Sequence, residues 1–257
     1  KYGGGLVIFL IAFINYLSTM APTVSFWDCG EFIACSYTLG VPHPPGTPLF
    51  ILIGRVFTLI KICEQIAVQV NFISVLSSAL AVFFMYLLIA KAVEYWLKID
   101  NLYLKSCIIV GGSFAGALAM TFSDTFWFNA VEAEVYATAM FIIMLSTWLA
   151  LIWMEKYQEK GRERILILIM YIMFLSVGIH ILAMLVIPPI LLLVIMTDKE
   201  MRTHWKPYFI GIALSTVIYA ITDFMFLIYT FSIVLYLKII LVRKNWSFGF
   251  SLFIGFI

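Results

Sequence analysis

Charge is scarce in this chain. Asp, Glu, Lys and Arg make up 12% of its 257 residues, against about a quarter in an ordinary soluble domain. The net charge is +2, and the basic residues fall in short clusters between apolar runs. No continuous basic face exists for nucleic acid, so none is expected as a partner. Cysteine is sparse too: Cys29, Cys35, Cys63 and Cys107 include no CxxC pair, which removes the usual zinc and dithiol frameworks. On a helix, Cys29 and Cys35 would lie about 9 Å apart, beyond disulfide reach. All four read as small apolar fillers. There is no internal repeat and no low-complexity tract, which excludes solenoids and disordered tails.

Apolar residues fill the space that charge leaves, at 64% of the chain. A soluble fold this size could not bury so much, so lipid must act as solvent. Runs of helical length lie at about 3–21, 69–90, 106–122 and 135–153. Backbone groups in hydrocarbon must bond within their own segment, so these runs are expected to be helices. Ile165 to Met196 is long for one span and short for two. Basic residues flank both of its ends, which predicts a hairpin turning near Gly178 to His180. The same reasoning predicts a hairpin over Tyr208 to Leu237, turning near Thr222-Asp223.

With Lys1 inside, only Arg55 and Lys61 of the sixteen Lys and Arg residues fall outside. Positive residues favour the cytoplasmic side, so this orientation is expected. It gives an integral, multi-pass membrane protein with a net acidic periplasmic or lumenal face. Asn245-Trp246-Ser247 matches the N-glycosylation pattern but falls at the inner end of a span. The chain begins within an apolar segment, Gly3 to Met20, read as a retained helix and not a signal peptide. It ends apolar at Phe248 to Ile257. The fold class expected is therefore all-α: one transmembrane helix bundle over 1–257, the amino-terminal part of a longer protein.

The first outer loop, about 22–65, is too long for a turn and too apolar for a solvated one. Thr23 to Ser25 are placed to cap a helix running through Phe32 to Leu39, which Gly40 would end. Val41 to Pro48 is a proline-rich turn, and Pro48 to Cys63 reads as a second helix carrying Arg55. Arg55 would sit mid-bilayer in a span, so two interfacial helices are expected, roofing the bundle. Asp28 and Glu31 share a helix face. Paired carboxylates of this kind hold a metal or abstract a proton, though a helix cap plus a solvated acid has the same spacing. His43 sits among prolines that hold it in one direction.

On the same side lie Glu132 and Glu134, which would diverge on a helix, and Tyr136, which shares the side of Glu132. The bland reading of the two acids is a solvated turn. His180, at the predicted hairpin turn, is equally a packing histidine. Charge bias alone nevertheless gathers Asp28, Glu31, His43, Arg55, Glu132, Glu134 and His180 on one face. Carboxylates, histidines and an arginine suit displacement of a phosphate leaving group from a lipid carrier.

Thr23-Val24-Ser25-Phe26-Trp27-Asp28-Cys29-Gly30-Glu31-Phe32, followed by Gly40-Val41-Pro42-His43-Pro44-Pro45-Gly46, resembles the amino-terminal signature of glycosyltransferase family 117. These are protein O-mannosyltransferase-like membrane proteins of GT-C architecture. Trp127-Phe128-Asn129-Ala130-Val131-Glu132-Ala133-Glu134-Val135-Tyr136 and Gly178-Ile179-His180 also look like family motifs. The likeness covers roughly the first two hundred residues. It implies a lipid-phosphate sugar donor (polyprenyl phosphate carrying mannose) and a Ser or Thr acceptor on an exported protein, with membrane lipid around both.

The resemblance makes Asp28 the essential acid, with Glu31 as its second. It implies substrate-binding roles for His43, Arg55, Glu132, Glu134, Tyr136 and His180. Whether the acids hold a divalent metal or act directly as base stays open; two nearby acids and no acidic doublet favour metal-free chemistry. The alternatives are a secondary transporter, whose acids would sit near the midplane of matched halves, and a structural subunit docking through its outer loop.

Overall fold

A computed structural model of the chain describes residues 2–60 and 63–198. The elements in order are α1 (Tyr2–Thr19), α2 (Cys29–Thr38), α3 (Pro48–Leu59), α4 (Ile66–Trp96), α5 (Leu102–Thr121) and α6 (Asp124–Ala130). Then follow α7 (Val135–Glu155), α8 (Glu163–Val177), a 3-10 turn (Ile181–Val186) and α9 (Ile187–Thr197). The described residues contain no strand. Among the described residues four helices, α1, α4, α5 and α7, are long and apolar enough to cross a membrane. They coincide with the four apolar runs of the sequence, and the protein is an integral membrane protein. The expected break after α8 falls at 178–180. The hairpin expected over 208–237, the Asn245 pattern, Lys61 and the basic residues at 1 and from 199 onward lie outside the described residues.

The chain divides into two compact units, one of residues 1–148 and 174–183, the other of 149–173 and 184 onward. Every candidate site residue lies in the first. Its core joins Ile8, Ala12 and Tyr16 of α1 to Val75, Ala79, Val82 and Tyr86 of α4. Glycines permit this close approach. A Cβ on Gly4 would lie 2.2 Å from the Tyr86 hydroxyl, and one on Gly5 2.9 Å from the Phe83 ring. Some polar groups of the bundle are bonded internally, as a site without water favours. The Tyr16 hydroxyl donates to the Thr121 carbonyl at 2.9 Å, and Ser77 and Thr138 join α4 to α7 at 3.2 Å. Leu6, Leu10 and Ile14 of α1 are exposed, as befits helix faces that meet lipid.

Between α1 and α4 stand α2 and α3. Asp28, and not the expected Thr23 to Ser25, occupies the N-cap of α2. The reason is Trp27, whose φ of 59° turns the chain left-handed just before the helix begins. At the other end Leu39, with φ 55°, takes the left-handed capping conformation, and Gly40 N–H donates to the Cys35 carbonyl at 3.0 Å. The left-handed position thus falls one residue before the glycine expected to supply it. Gly46 and Thr47 are also left-handed, and Pro48 opens α3 at a position where its missing N–H costs nothing. At 12 residues α3 is only about 18 Å long, too short to span. It ends at Leu59, short of the expected Cys63.

These two helices meet where Gly54 faces buried Ser36. A Cβ on Gly54 would stand 2.1 Å from the Ser36 hydroxyl and 2.6 Å from its Cβ. Gly54→Ala is therefore expected to destabilise the α2–α3 elbow by about 1–3 kcal/mol. Adding Ser36→Gly should recover most of that loss in thermal unfolding of the purified protein. A double variant no more stable than Gly54→Ala would show that this contact does not hold the elbow.

Candidate active site

Asp28 caps α2 and Glu31 lies in its first turn, so both carboxylates stand at the positive end of the helix. The proline-rich loop then carries His43 back over them. Its backbone N–H donates to Glu31 Oε1 at 2.7 Å, and its Nδ1 meets Glu31 Oε2 at 2.7 Å. Its Nε2 faces Asp28 Oδ2 at 3.9 Å. One imidazole thus bridges two acids, all three exposed to about half. The hydrogen bonds from His43 hold the Glu31 carboxyl below its ordinary range. The same Glu31 bond raises the His43 ring above 6.5, aided by the negative charge of Asp28. Below the ring lies Phe32, 5.9 Å away, and Phe32 packs edge-on against Phe50 at 5.5 Å. Both phenylalanines are buried, so the cluster rests on a fixed floor.

Asp28, Glu31 and His43 offer ligand atoms within 4.8 Å of one another, close enough to share a divalent cation. Both Glu31 oxygens and the His43 Nδ1 are, however, already committed to each other. The uncommitted donors are the Asp28 carboxylate and His43 Nε2. The tightest contacts are those of an ion pair.

Glu132 and Glu134 stand behind this cluster. Because α6 stops at Ala130 and α7 starts at Val135, they occupy a non-helical turn and do not diverge as helical spacing predicts. The turn is tied down by Ala21 N–H to the Val131 carbonyl at 2.9 Å and by the Ser74 hydroxyl to the Glu134 carbonyl at 3.3 Å. Asn71 of α4 donates to the Ala21 carbonyl at 2.8 Å and fixes the neighbouring strand of chain. Both acids converge on Cys29, whose thiol donates to Glu134 Oε1 at 3.7 Å. Glu132 is also bonded to Ser25. They are 3% and 5% exposed, so they lie beneath the surface and not in a solvated turn. Burial raises Glu132, and burial, with the charges of Asp28 and Glu132, pushes Glu134 up to about 7. Burial first, then both glutamates, pushes the Cys29 thiol well above its ordinary value. Cys29 was expected as apolar filler; it is instead the polar link between the acid pair and Asp28. Spacing gave no sign of this, because the link joins residues 105 apart.

Tyr136 and His180 form a second pairing, their rings 5.0 Å apart and tilted by 56°. The Leu182 N–H donates to His180 Nδ1 at 3.1 Å, so Nε2 carries the proton of the neutral ring. Burial holds this histidine below 6.5. Its turn docks on the start of α3, where Leu49 and Phe50 N–H donate to the Gly178 carbonyl at 2.7 and 3.2 Å. Phe50 therefore anchors both histidine-bearing segments. Arg55 is not gathered with them. It donates to the Tyr37 carbonyl and lies 5.7 Å over the Tyr37 ring, satisfying the carboxyl end of α2. Asp28 is at the other end of that ten-residue helix, about 13 Å away along the axis.

The chain is similar to known proteins. Residues 28–203 match the family described as Protein O-mannosyl-transferase TMEM260 N-terminal domain. The chain is 30% identical over 144 residues to "Protein O-mannosyl-transferase tmem260" of Dictyostelium discoideum, 54% of this chain and 16% of that protein. It is 24% identical over 166 residues to "Protein O-mannosyl-transferase TMEM260" of Mus musculus, 63% of this chain and 21% of that protein. The match thus takes in about a fifth of each relative's length. No solved structure matches the chain significantly.

Proposed function

The chain belongs to the Protein O-mannosyl-transferase TMEM260 N-terminal domain family, and from that membership we propose that it forms the catalytic part of a protein O-mannosyltransferase. The donor is mannose on a polyprenyl phosphate and the acceptor a Ser or Thr hydroxyl of an exported protein. The reaction takes place at the non-cytoplasmic face, where the bias of Lys and Arg puts the α2–α3 elbow.

The observation that carries this reading is the Asp28–His43–Glu31 cluster. An exposed carboxylate stands beside a histidine whose charged form is favoured by a second acid. Asp28 takes the proton of the acceptor hydroxyl as its oxygen bonds to the sugar carbon. The bond from that carbon to the phosphate oxygen breaks on the opposite side, giving inversion, and the lipid phosphate leaves. His43 supplies positive charge to the leaving phosphate from one side, and His180 donates through Nε2 from the Tyr136 side. Glu31 keeps His43 charged. The bundle of α1, α4, α5 and α7 leaves the lipid tail in the bilayer.

The test is transfer of radiolabelled mannose from a polyprenyl-phosphate donor to exported protein, in membranes holding the full-length chain. Transfer by those membranes and not by membranes lacking the chain supports the reading; equal transfer by both sinks it. Because Glu31 is compensated by His43, chelation with EDTA is expected to leave the rate unchanged. A loss restored by added divalent cation would instead place a metal among these three side chains.

A further inference from the structure

Four carboxylates crowd one end of α2, and the donor proposed above is an anion. Asp28 and Glu31 share His43 as counter-charge. Glu132 and Glu134 are buried, and among the described residues no Lys or Arg is bonded to either. The groups facing the Glu134 carboxyl are the Cys29 thiol of α2, Asp28 at its N-cap, Glu132 and the Val135 N–H from its own turn, and the charge of His43 from the 40–47 loop, while the Ser74 hydroxyl of α4 bonds the Glu134 backbone. Two buried carboxylates side by side do not both ionise readily, so one retains a proton.

We propose that Glu134 is a positioning residue that works in its protonated form. Gripped by the Cys29 thiol directly behind Asp28, it fixes the amino end of α2 and leaves Asp28 as the carboxylate that meets the anionic donor. This rests on the transferase reading of the site. Glu134 does not touch substrate; it acts through Cys29 on the neighbouring Asp28. Losing the proton adds a buried negative charge beside Asp28 and Glu132. That charge repels both acids and the incoming phosphate, so turnover is present below about pH 7 and falls as pH rises through it.

The experiment compares wild type, Glu134→Ala and Glu134→Gln in the full-length protein. Glu134→Ala is expected to lower kcat about a hundredfold through misplacement of Asp28. Glu134→Gln, a neutral isostere, is expected to restore most of that loss and to remove the part of the alkaline fall centred near pH 7. A Glu134→Gln enzyme as inactive as Glu134→Ala overturns the proposal, because the carboxylate itself would then be needed.

A second readout stands apart from transfer. Alkylation of Cys29, followed by mass spectrometry of its peptide, should be slow in wild type and Glu134→Gln and at least about tenfold faster in Glu134→Ala. Unchanged alkylation in Glu134→Ala overturns the proposal whether or not the protein transfers mannose. Protection of Cys29 as expected, with no transfer by wild type, sinks the transferase reading and leaves the Glu134–Cys29 coupling standing.

Discussion

Asp28→Asn is expected to abolish mannose transfer and to leave the helical assembly intact. The substitution is nearly isosteric, and Asn is as good a helix N-cap as Asp. No side-chain capping bond is at stake, because the Asp28 carboxylate makes none to the first turn of α2. What is lost is the only full negative charge of the cluster not tied up by short hydrogen bonds: both Glu31 oxygens are held by His43 at 2.7 Å, whereas Asp28 stands 3.9 Å from it. Removing a general base lowers turnover about 10²–10⁴-fold. Asp28→Glu restores a carboxylate but moves it by one methylene, so it should recover only part of the rate. The measurement is transfer in membranes, with thermal unfolding of the purified variants as the check on folding. A folded Asp28→Asn protein within about threefold of wild type would favour the transporter or scaffold readings, since a loss of 10²-fold or more is expected of a base.

The long apolar helices are legible in the sequence because lipid imposes a one-dimensional rule: a crossing helix must be apolar for its whole length. Tyr2–Thr19, Ile66–Trp96, Leu102–Thr121 and Val135–Glu155 each follow an apolar run to within a few residues, except that α4 extends beyond its run at both ends. The acid–histidine pairing was half legible. Asp28 and Glu31 stood out by spacing, and the prolines around His43 announced a rigid loop, but its return onto Glu31 depends on left-handed residues at Leu39, Gly46 and Thr47. Only Gly46 signals that conformation by its identity. Helical spacing misplaced Glu132 and Glu134, because the turn between α6 and α7 is fixed by Ala21 and Ser74, distant residues that a local pattern does not contain. Charge bias groups Arg55 with the acids by the side of the membrane alone, a criterion too coarse to separate the two ends of α2. Cys29 hides for the opposite reason: a cysteine in an apolar stretch looks like filler until its neighbours from residues 132–134 are known.

His43→Gln is expected to lower kcat/KM for the donor roughly 10- to 100-fold, the effect of losing a charge-assisted hydrogen bond. Glutamine can still bond to Glu31 but carries no charge for either the second acid or the leaving phosphate. The pH dependence separates this loss from simple loosening of the loop. His43 has its pKa raised by Glu31, so its contribution is fully present below 6.5 and is lost as pH rises through the raised value. Glu31 has its pKa lowered by His43, so its contribution is fully present above 4.5 and is lost as pH falls through the lowered value. The loop should therefore be held best between about 4.5 and 6.5, and protection of the His43 amide against hydrogen exchange should be greatest there. In His43→Gln that maximum should disappear. Two groups then shape the alkaline side of the rate profile, His43 and Glu134. Each single Gln substitution should remove its own part of the fall, and the double variant should be level across neutral pH. A double variant that still declines there would mean that another group titrates in the reaction, and that the charge on His43 is not what the donor meets.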